Sequence, residues 1–243
     1  MELPFPEAWE RILTDRFAPW GEMTAAEQTK VRGLIQVFLD EKCVEGAGGF
    51  EITEEVRVVI AAHAVRPVIG LDMDWLQEVE TVLVYPYDIR RPEPLFGDRY
   101  QHGEPAQRET PLAGEAVHGG PILLSWDAVT GGAVHPDRGL NVILHETAHK
   151  IDMLSGEADG APPLPRSVDP SEWAEVCGRE YRHLARRRRR GLSTFFDDYA
   201  AEHPAEFFAV VTEHFFEQAA EMKRRRPALY RLFQRFYNQD PAG

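Results

Sequence analysis

The hydrophobic positions in the first third of the chain repeat at the spacing of α-helices. Apolar residues follow a capping-box sequence at Thr24 and recur through Cys43, until the glycine-rich stretch 46–49 ends the pattern. A second pattern of helical spacing begins at Thr53 and predicts another helix. We therefore expect a helical N-terminal layer over residues 1–78.

Two short apolar runs further along the chain predict β-strands. One is Thr81–Tyr85, and the other covers residues 121–126. The segment 92–120 between them is rich in proline, glycine and charge, so we expect a long loop with short strands, a kind of segment that often carries function. Helices and a small twisted sheet predict the α+β class, with a single domain over residues 1–243 whose core covers residues 79–243.

Composition and charge narrow the class of protein. The 243 residues are 43% hydrophobic and 28% charged, which is ordinary for a globular protein and argues against disorder and coiled coil. A net charge of −13 disfavours nucleic acids and anionic membranes as partners. The apolar stretches are shorter than the ~20 residues of a spanning helix. With no secretory leader and only Cys43 and Cys177, which we expect to be core thiols, the chain is expected in the cytoplasm.

The sequence His-Glu-Thr-Ala-His at residues 145–149 is the strongest chemical signal. It lies in a predicted helix that Asp137 is placed to cap and Gly156 to end. Two histidines four residues apart differ by about 40° around a helix axis and about 6 Å along it, so both imidazoles are able to bind one ion. Glu146 lies about 100° further round, beside the metal but not between its ligands, where it is placed to handle a water molecule.

A catalytic zinc site requires a third protein ligand and keeps one position open. The extended metzincin pattern is excluded, because Asp152 and Ser155 stand where it requires glycine and histidine. Glu206 is the candidate, on a helix predicted to begin at Pro204, although it also suits a helix-capping carboxylate. Spacing alone leaves rivals among the nearby acidic residues, which are Asp197, Asp198, Glu202 and Glu213.

Two linked segments resemble the Mlc titration factor A (MtfA) family of zinc peptidases. They are His145-Glu-Thr-Ala-His-Lys-Ile-Asp152 and Tyr199-Ala-Ala-Glu-His-Pro-Ala-Glu206. The opening Leu-Pro-Phe-Pro also fits, so the resemblance covers most of the chain. The spacing of seven from Tyr199 to Glu206 is similar to the protease domain of anthrax lethal factor, a gluzincin. The resemblance implies a zincin-like metalloprotease domain built around the HExxH helix.

The resemblance also implies roles and partners. It makes His145, His149 and Glu206 the ligands of Zn²⁺, and it turns Tyr199 toward the metal. The expected substrate is a peptide or protein, and the namesake of the family sequesters a transcriptional repressor, Mlc, which makes such a repressor an expected partner. Aminopeptidase and endopeptidase action both stay open. The competing interpretation is a repressor-binding protein whose zinc site is vestigial or weakly active.

These assignments give a mechanistic hypothesis. Zn²⁺ activates a water molecule and polarises a peptide carbonyl, while Glu146 accepts the proton of the water and passes it to the leaving amine. Tyr199 either donates a hydrogen bond to the oxyanion or packs in the core beside Phe195 and Phe196. Asp152 either orients a ligand imidazole or forms a hydrogen bond at the helix end.

The substrate site and a basic run complete the sequence-based expectations. The strand from residue 121 is expected to be a sheet edge to which a peptide adds, with Gly120, Ile122 and Leu124 contacting it, and the ordinary alternative is a buried central strand. The arginine run 186–190 is interpreted as a solvated segment, with a local site for an anionic partner as the alternative.

Overall fold

The fold mixes helices with one small sheet, as the α+β prediction requires. The computed structural model describes residues 4–87, 113–134 and 139–243, apart from the side chains of residues 132–134. Its helices are α1 (Glu7–Arg16), α2 (Ala25–Glu41), α3 (Glu54–Val65), α4 (Trp126–Val134), α5 (Val142–Asp152), α6 (Pro170–Arg189), α7 (Pro204–Glu217), α8 (Ala219–Arg225) and α9 (Pro227–Tyr237). Its strands are β1 (Cys43–Gly46), β2 (Thr81–Tyr85), β3 (Gly114–Ala116) and β4 (Ile122–Ser125).

The four strands form one sheet in the order β1-β2-β4-β3. Strands β1, β2 and β4 run parallel, with Val82 opposite both Val44 and Ile122. Strand β3 pairs with β4 in the antiparallel direction, with Gly114 opposite Leu124. The side chains of β2 alternate between partly buried and buried positions, and Ile122 and Leu124 of β4 are buried, so one face of the sheet packs on the core.

The expectation that the strand from residue 121 is a sheet edge is wrong. This strand is β4, which has β2 on one side and β3 on the other. Ile122 and Leu124 are buried, and the carbonyl of Gly120 accepts a hydrogen bond from Nζ of Lys150 at 2.6 Å. Because these backbone and side-chain groups are engaged inside the protein, the alternative of a buried central strand holds and the three residues do not offer a peptide-binding edge.

The helical pattern of the first third is confirmed except at its end. Thr24 forms a capping box with Glu27, and Thr53 caps α3 by accepting a hydrogen bond from the N–H of Val56. Helix α2, however, ends at Glu41, and Cys43 begins β1, where its N–H donates to the carbonyl of Glu80. Pairing with β2 therefore overrides the helical spacing that had included this cysteine.

The interpretation of the cysteines as core thiols is also wrong for Cys43. It is exposed on β1, and its thiol donates to Glu45 at 3.1 Å. Cys177 on α6 is partly buried. Neither cysteine forms a disulfide.

Helices α5 and α7 pack against each other and form the centre of the molecule. Nearly every residue of α7 is buried, from Ala205 to Phe216. Beside it, aromatic rings of α6, α7 and α9 contact one another. The ring centroid of Trp173 lies 5.1 to 6.0 Å from the centroids of Phe208, Phe233 and Phe236. The aromatic rings of α6 and α9 therefore pack on α7, which in turn packs on α5. Within the described residues, no helix is long and apolar enough to cross a membrane.

Candidate metal centre

Helix α5 begins where Asn141 caps it. The side-chain oxygen of Asn141 accepts a hydrogen bond from the N–H of Leu144 at 3.1 Å, which satisfies one of the free donors at the helix start. Asp137, the cap predicted from the sequence, lies outside the described residues. Leu140 precedes the helix, and its side chain is 48% exposed. The helix therefore starts about one turn later than a cap at Asp137 predicts.

Helix α7 begins at Pro204, as predicted. Its cap is His203, whose Nδ1 accepts a hydrogen bond from the N–H of Ala205 at 3.3 Å. Proline suits the first helical position, because its missing N–H is not needed there and its backbone angle is already helical. Glu206 follows in the first turn. Since α7 packs on α5, this turn lies beside the two histidines.

The ligand atoms of the three expected residues converge. The Nε2 atom of His145 lies 3.1 Å from Nε2 of His149 and 3.1 Å from Oε2 of Glu206. The distance from Nε2 of His149 to the same oxygen is 3.5 Å. A tetrahedral ion bound at about 2.0–2.1 Å separates its ligand atoms by about 3.3 Å, so the spacing fits such an ion. Among the described residues, these three form the group whose ligand atoms are placed to hold a metal.

The electrostatics of the three residues favour a positive charge among them. Burial on its own raises the pKa of Glu206, but the hydrogen bonds and charges of the two imidazoles outweigh it and bring the pKa well below its ordinary value. Burial on its own lowers the pKa of His145, but the contacts of the ring with Glu206 and Glu213 outweigh this effect and raise the pKa. A carboxylate kept anionic against two imidazoles is the arrangement that a divalent cation stabilises.

Glu146 is buried beside strand β3. Only 5% of Glu146 is exposed, and burial raises its pKa above the ordinary value of 4.5. The backbone of Ala116 forms a hydrogen bond with its carboxylate. A Cβ atom at Gly114 would lie 2.7 Å from Oε1 of Glu146, closer than a side chain tolerates. Strand β3 therefore approaches the carboxylate closely because a glycine stands at this point.

Tyr199 lies at the surface of the same site. Its ring centroid is 6.1 Å from that of His145, and its hydroxyl forms a hydrogen bond with Glu206. Burial and the neighbouring Glu206 raise the pKa of the phenol, so it stays protonated. The alternative of a core tyrosine is wrong, because 45% of Tyr199 is exposed while Phe195 and Phe196 pack on each other and on His214.

Glu213 is a rival ligand by sequence spacing, but in the structure it contacts the ring of His145 instead. Its Oε1 atom lies 2.7 Å from Nδ1 of His145, on the side of the ring opposite to the converging Nε2. Its Oε2 atom accepts a hydrogen bond from the N–H of Asn141 at 2.5 Å. The signal in the sequence is the spacing of seven from Glu206, which places both carboxylates on one face of α7 two turns apart.

A buried polar chain continues from this point into the N-terminal helices. The amide nitrogen of Asn141 lies 2.8 Å from Nδ1 of His63 and donates to Oε1 of Glu217 at 2.9 Å. The same carboxylate oxygen pairs with Arg66 at 2.6 Å, and both of these side chains are buried. His63 is 6% exposed, and the cap of α5 contacts groups from α3 and α7.

Asp152 is the last residue of α5, and its carboxylate accepts a hydrogen bond from the segment that follows the helix. Its Oδ2 atom accepts a hydrogen bond from the N–H of Gly160 at 2.7 Å, and its Oδ1 atom has no hydrogen-bond partner among the described residues. Burial raises its pKa to about 6. Of the two interpretations, the bond to Gly160 supports the one at the helix end, and the carboxylate that contacts the imidazole of His145 is Glu213.

Comparisons with known proteins agree with this geometry. An uncharacterized protein of Synechocystis is 34% identical over 239 residues, covering 98% of this chain and 86% of its own. The Mlc titration factor A of Salmonella gallinarum is 32% identical over 260 residues, covering 99% of this chain and 93% of its own. That of Salmonella typhimurium is 31% identical with the same coverage. Residues 1–238 match the glucose-regulated metallo-peptidase M90 family. This chain, with its paired histidines and converging carboxylate, therefore belongs to the metallo-peptidase M90 family.

Proposed function

We propose that the protein is a zinc-dependent peptidase. The observation that carries the proposal is the convergence of Nε2 of His145, Nε2 of His149 and Oε2 of Glu206 within 4.8 Å of one another. Two imidazoles and one carboxylate are a common ligand set of catalytic zinc, and they leave a fourth position open. Membership of a metallo-peptidase family supports the same reaction.

Zinc held by His145, His149 and Glu206 would supply a Lewis acid, which would polarise a peptide carbonyl and make water easier to deprotonate so that it can act as a nucleophile. The residues of the chain supply the proton transfers. Glu146 accepts a proton from the attacking water and returns it to the nitrogen of the leaving amine. Burial suits this role, because the raised pKa of Glu146 brings its affinity for protons closer to that required near neutral pH.

Tyr199 is proposed to stabilise the oxyanion. Its phenol is protonated and half-exposed, and we propose that its hydrogen bond passes from Glu206 to the carbonyl oxygen of a bound substrate. A donor that acts mainly in the transition state contributes about 3 kcal/mol. Tyr199 therefore polarises the carbonyl from the protein side.

We place the peptide substrate along β3 instead of β4. In the part of the chain that the structure describes, β3 pairs with β4 alone. An extended peptide adds to such an edge through main-chain hydrogen bonds. Because Ala116 contacts Glu146 and Gly114 lies against it, a peptide on this edge passes close to the general base.

The substitution Glu146→Gln tests the proposal. The wild-type protein is expected to cleave a mixture of quenched fluorescent peptides, to lose this activity with a chelator and to regain it with zinc. Glu146→Gln keeps the shape of the side chain but cannot accept the proton, so zinc content stays and hydrolysis is lost. The control is Glu157→Gln, at an exposed carboxylate beyond α5, which keeps full activity. Turnover by zinc-loaded Glu146→Gln would contradict the assigned role.

A second function is favoured by the name of the Salmonella relatives, Mlc titration factor A. We propose that the chain also binds a transcriptional repressor of the Mlc type. In a pull-down with such a repressor, Glu146→Gln is expected to retain binding while it hydrolyses nothing, because binding does not require the general base. A wild-type protein that captures the repressor but cleaves no peptide would favour a binding protein with a vestigial zinc site.

A further inference from the structure

Two basic runs that are distant in the sequence meet at one cavity. Arg187 near the end of α6 and Arg224, Arg225 and Arg226 at the end of α8 line a cavity of about 480 Å³, together with His183. The chain as a whole carries a net charge of −13, so four guanidinium groups at one concave surface are a local reversal of its charge. None of the three converging metal-centre residues lines this cavity.

The acidic residues nearby do not cancel this positive charge. Glu221 pairs with both Arg224 and Arg225, and Glu180 lies 3.4 Å from Arg226. Within the described part of the chain, Arg187 has no carboxylate partner, and it donates to the backbone carbonyl of Ser193 at 2.8 Å. Four guanidinium groups thus face two carboxylates, which leaves an excess of positive charge at the cavity.

One of the cavity arginines has only a distant carboxylate partner. The buried Nε atom of Arg226 lies 3.4 Å from a carboxylate oxygen of Glu180, which makes an ion pair but not a hydrogen bond. An oxygen-rich anion in the cavity would supply hydrogen-bond acceptors to the guanidinium groups that line it.

We propose that this cavity binds a small phosphate monoester. The planar fork of arginine matches the oxygens of a phosphate group, and the dianion balances the excess charge. A volume of about 480 Å³ falls within the usual range of small-molecule sites, about 300–1,000 Å³. A concave site of this size differs from the extended basic stripe that a nucleic acid requires, and the neighbouring Arg186 and Arg189 remain outside it.

The cavity also adjoins the segment that leads to the metal centre. Ser193, Thr194 and Phe195 line it, and the ring of Phe195 packs 5.1 Å from that of His214 on α7. Tyr199 follows four residues after Phe195. A bound phosphate group is therefore expected to slow backbone hydrogen exchange in residues 193–195. This exchange rate measures phosphate binding independently of peptide hydrolysis.

Titration calorimetry with inorganic phosphate and with phenyl phosphate tests the proposal. We compare the double variant Arg187→Gln/Arg224→Gln with Arg186→Gln/Arg189→Gln, which removes the same charge from exposed residues outside the cavity. The first variant is expected to raise the Kd for phenyl phosphate at least about tenfold, because it removes two charge-assisted contacts, and the second to leave it unchanged. If the double variant fails to fold, Arg224→Gln alone serves, since that side chain is 67% exposed.

Three outcomes would overturn the proposal. The first is that the wild-type protein binds neither probe, and the second is that both double variants weaken binding equally, which indicates a general charge effect. The third is that binding is unchanged in Arg187→Gln/Arg224→Gln, which shows that the phosphate binds elsewhere on the protein. Tighter binding of phenyl phosphate than of inorganic phosphate supports a monoester, and the reverse order would replace it with the free ion.

Discussion

At Gly114 the lack of a side chain lets β3 lie directly against the carboxylate of Glu146. A Cβ atom there would stand 2.6 Å from the side chain of Val142 and 2.7 Å from Oε1 of Glu146. Both neighbours belong to helix α5, and Glu146 is buried, so an added methyl group would have to displace them. The position of the proposed general base therefore depends on one glycine that the sequence analysis did not single out.

The substitution Gly114→Ala tests this dependence. The added methyl group is expected to reduce the free energy of unfolding by about 1–3 kcal/mol and to lower peptide hydrolysis, since the overpacked Glu146 must move. The matched control is Gly131→Ala in α4, where a Cβ atom meets nothing within 4 Å and improves helix propensity by up to about 1 kcal/mol. Chemical denaturation measures both effects. Equal stability of the two variants would show that β3 does not restrict Glu146.

At the scale of elements, α7 contributes two carboxylates with different tasks to one centre. Glu206 in its first turn faces the converging imidazole nitrogens, and Glu213 two turns later bonds the far side of the ring of His145. A carboxylate in this second position fixes the ring orientation and makes the imidazole a better ligand. The pairing of α5 with α7 is therefore what makes three separate ligands into one site.

The substitution Glu213→Gln tests the second carboxylate. The amide keeps one acceptor but loses the negative charge and cannot accept from both His145 and Asn141, so the affinity for zinc is expected to fall by about 10–100-fold. The control is Glu202→Gln, because Glu202 is a half-exposed residue that pairs with Arg188. Competition with a chromogenic zinc chelator measures the affinity. An unchanged affinity in Glu213→Gln would show that Glu213 does not support the ligand.

Local sequence signals predicted the helix caps and helix starts well, and contacts between distant residues explain the predictions that failed. The caps at Thr24 and Thr53, the start of α7 at Pro204 and the shared face of His145 and His149 follow from neighbouring residues alone. Contacts of this kind reach no further than one helical turn, so a sequence pattern contains them.

The errors concern contacts with distant parts of the chain. Cys43 continues a helical spacing, but its N–H pairs with the carbonyl of Glu80 in the sheet. Which strand lies at the edge depends on the order β1-β2-β4-β3, which no local pattern encodes. The choice between Asp152 and Glu213 as the partner of a ligand imidazole depends in the same way on how α7 packs on α5.

At the scale of the whole molecule, the buried polar chain connects stability with pH. His63 is buried and its Nδ1 lies 2.8 Å from the amide nitrogen of Asn141, which suits a neutral ring that accepts a hydrogen bond. Burial lowers its pKa from 6.5 to about 4, and the charge of Arg66 adds to this while that of Glu217 opposes it. Between these values the unfolded chain binds the proton more readily than the folded protein does.

The contribution of His63 to the unfolding free energy is therefore expected to be fully present above pH 6.5 and to be lost as the pH falls toward 4. The contribution of His63 is about 1–3 kcal/mol, since each unit of pKa shift corresponds to about 1.4 kcal/mol. In His63→Gln, which keeps an acceptor but cannot bind the proton, the decrease over this range is expected to be smaller by that amount. Denaturation curves at a series of pH values measure the difference. Parallel curves for the two proteins would contradict the assignment to His63.

Zinc content measured by mass spectrometry on purified protein tests the central claim most directly. We expect about one zinc per chain in the wild-type protein and in Glu202→Ala, and a large loss in Glu206→Ala, because only the latter removes an atom that meets the two imidazoles. Retention of about one zinc per chain by Glu206→Ala, with an unchanged affinity in chelator competition, would contradict the account.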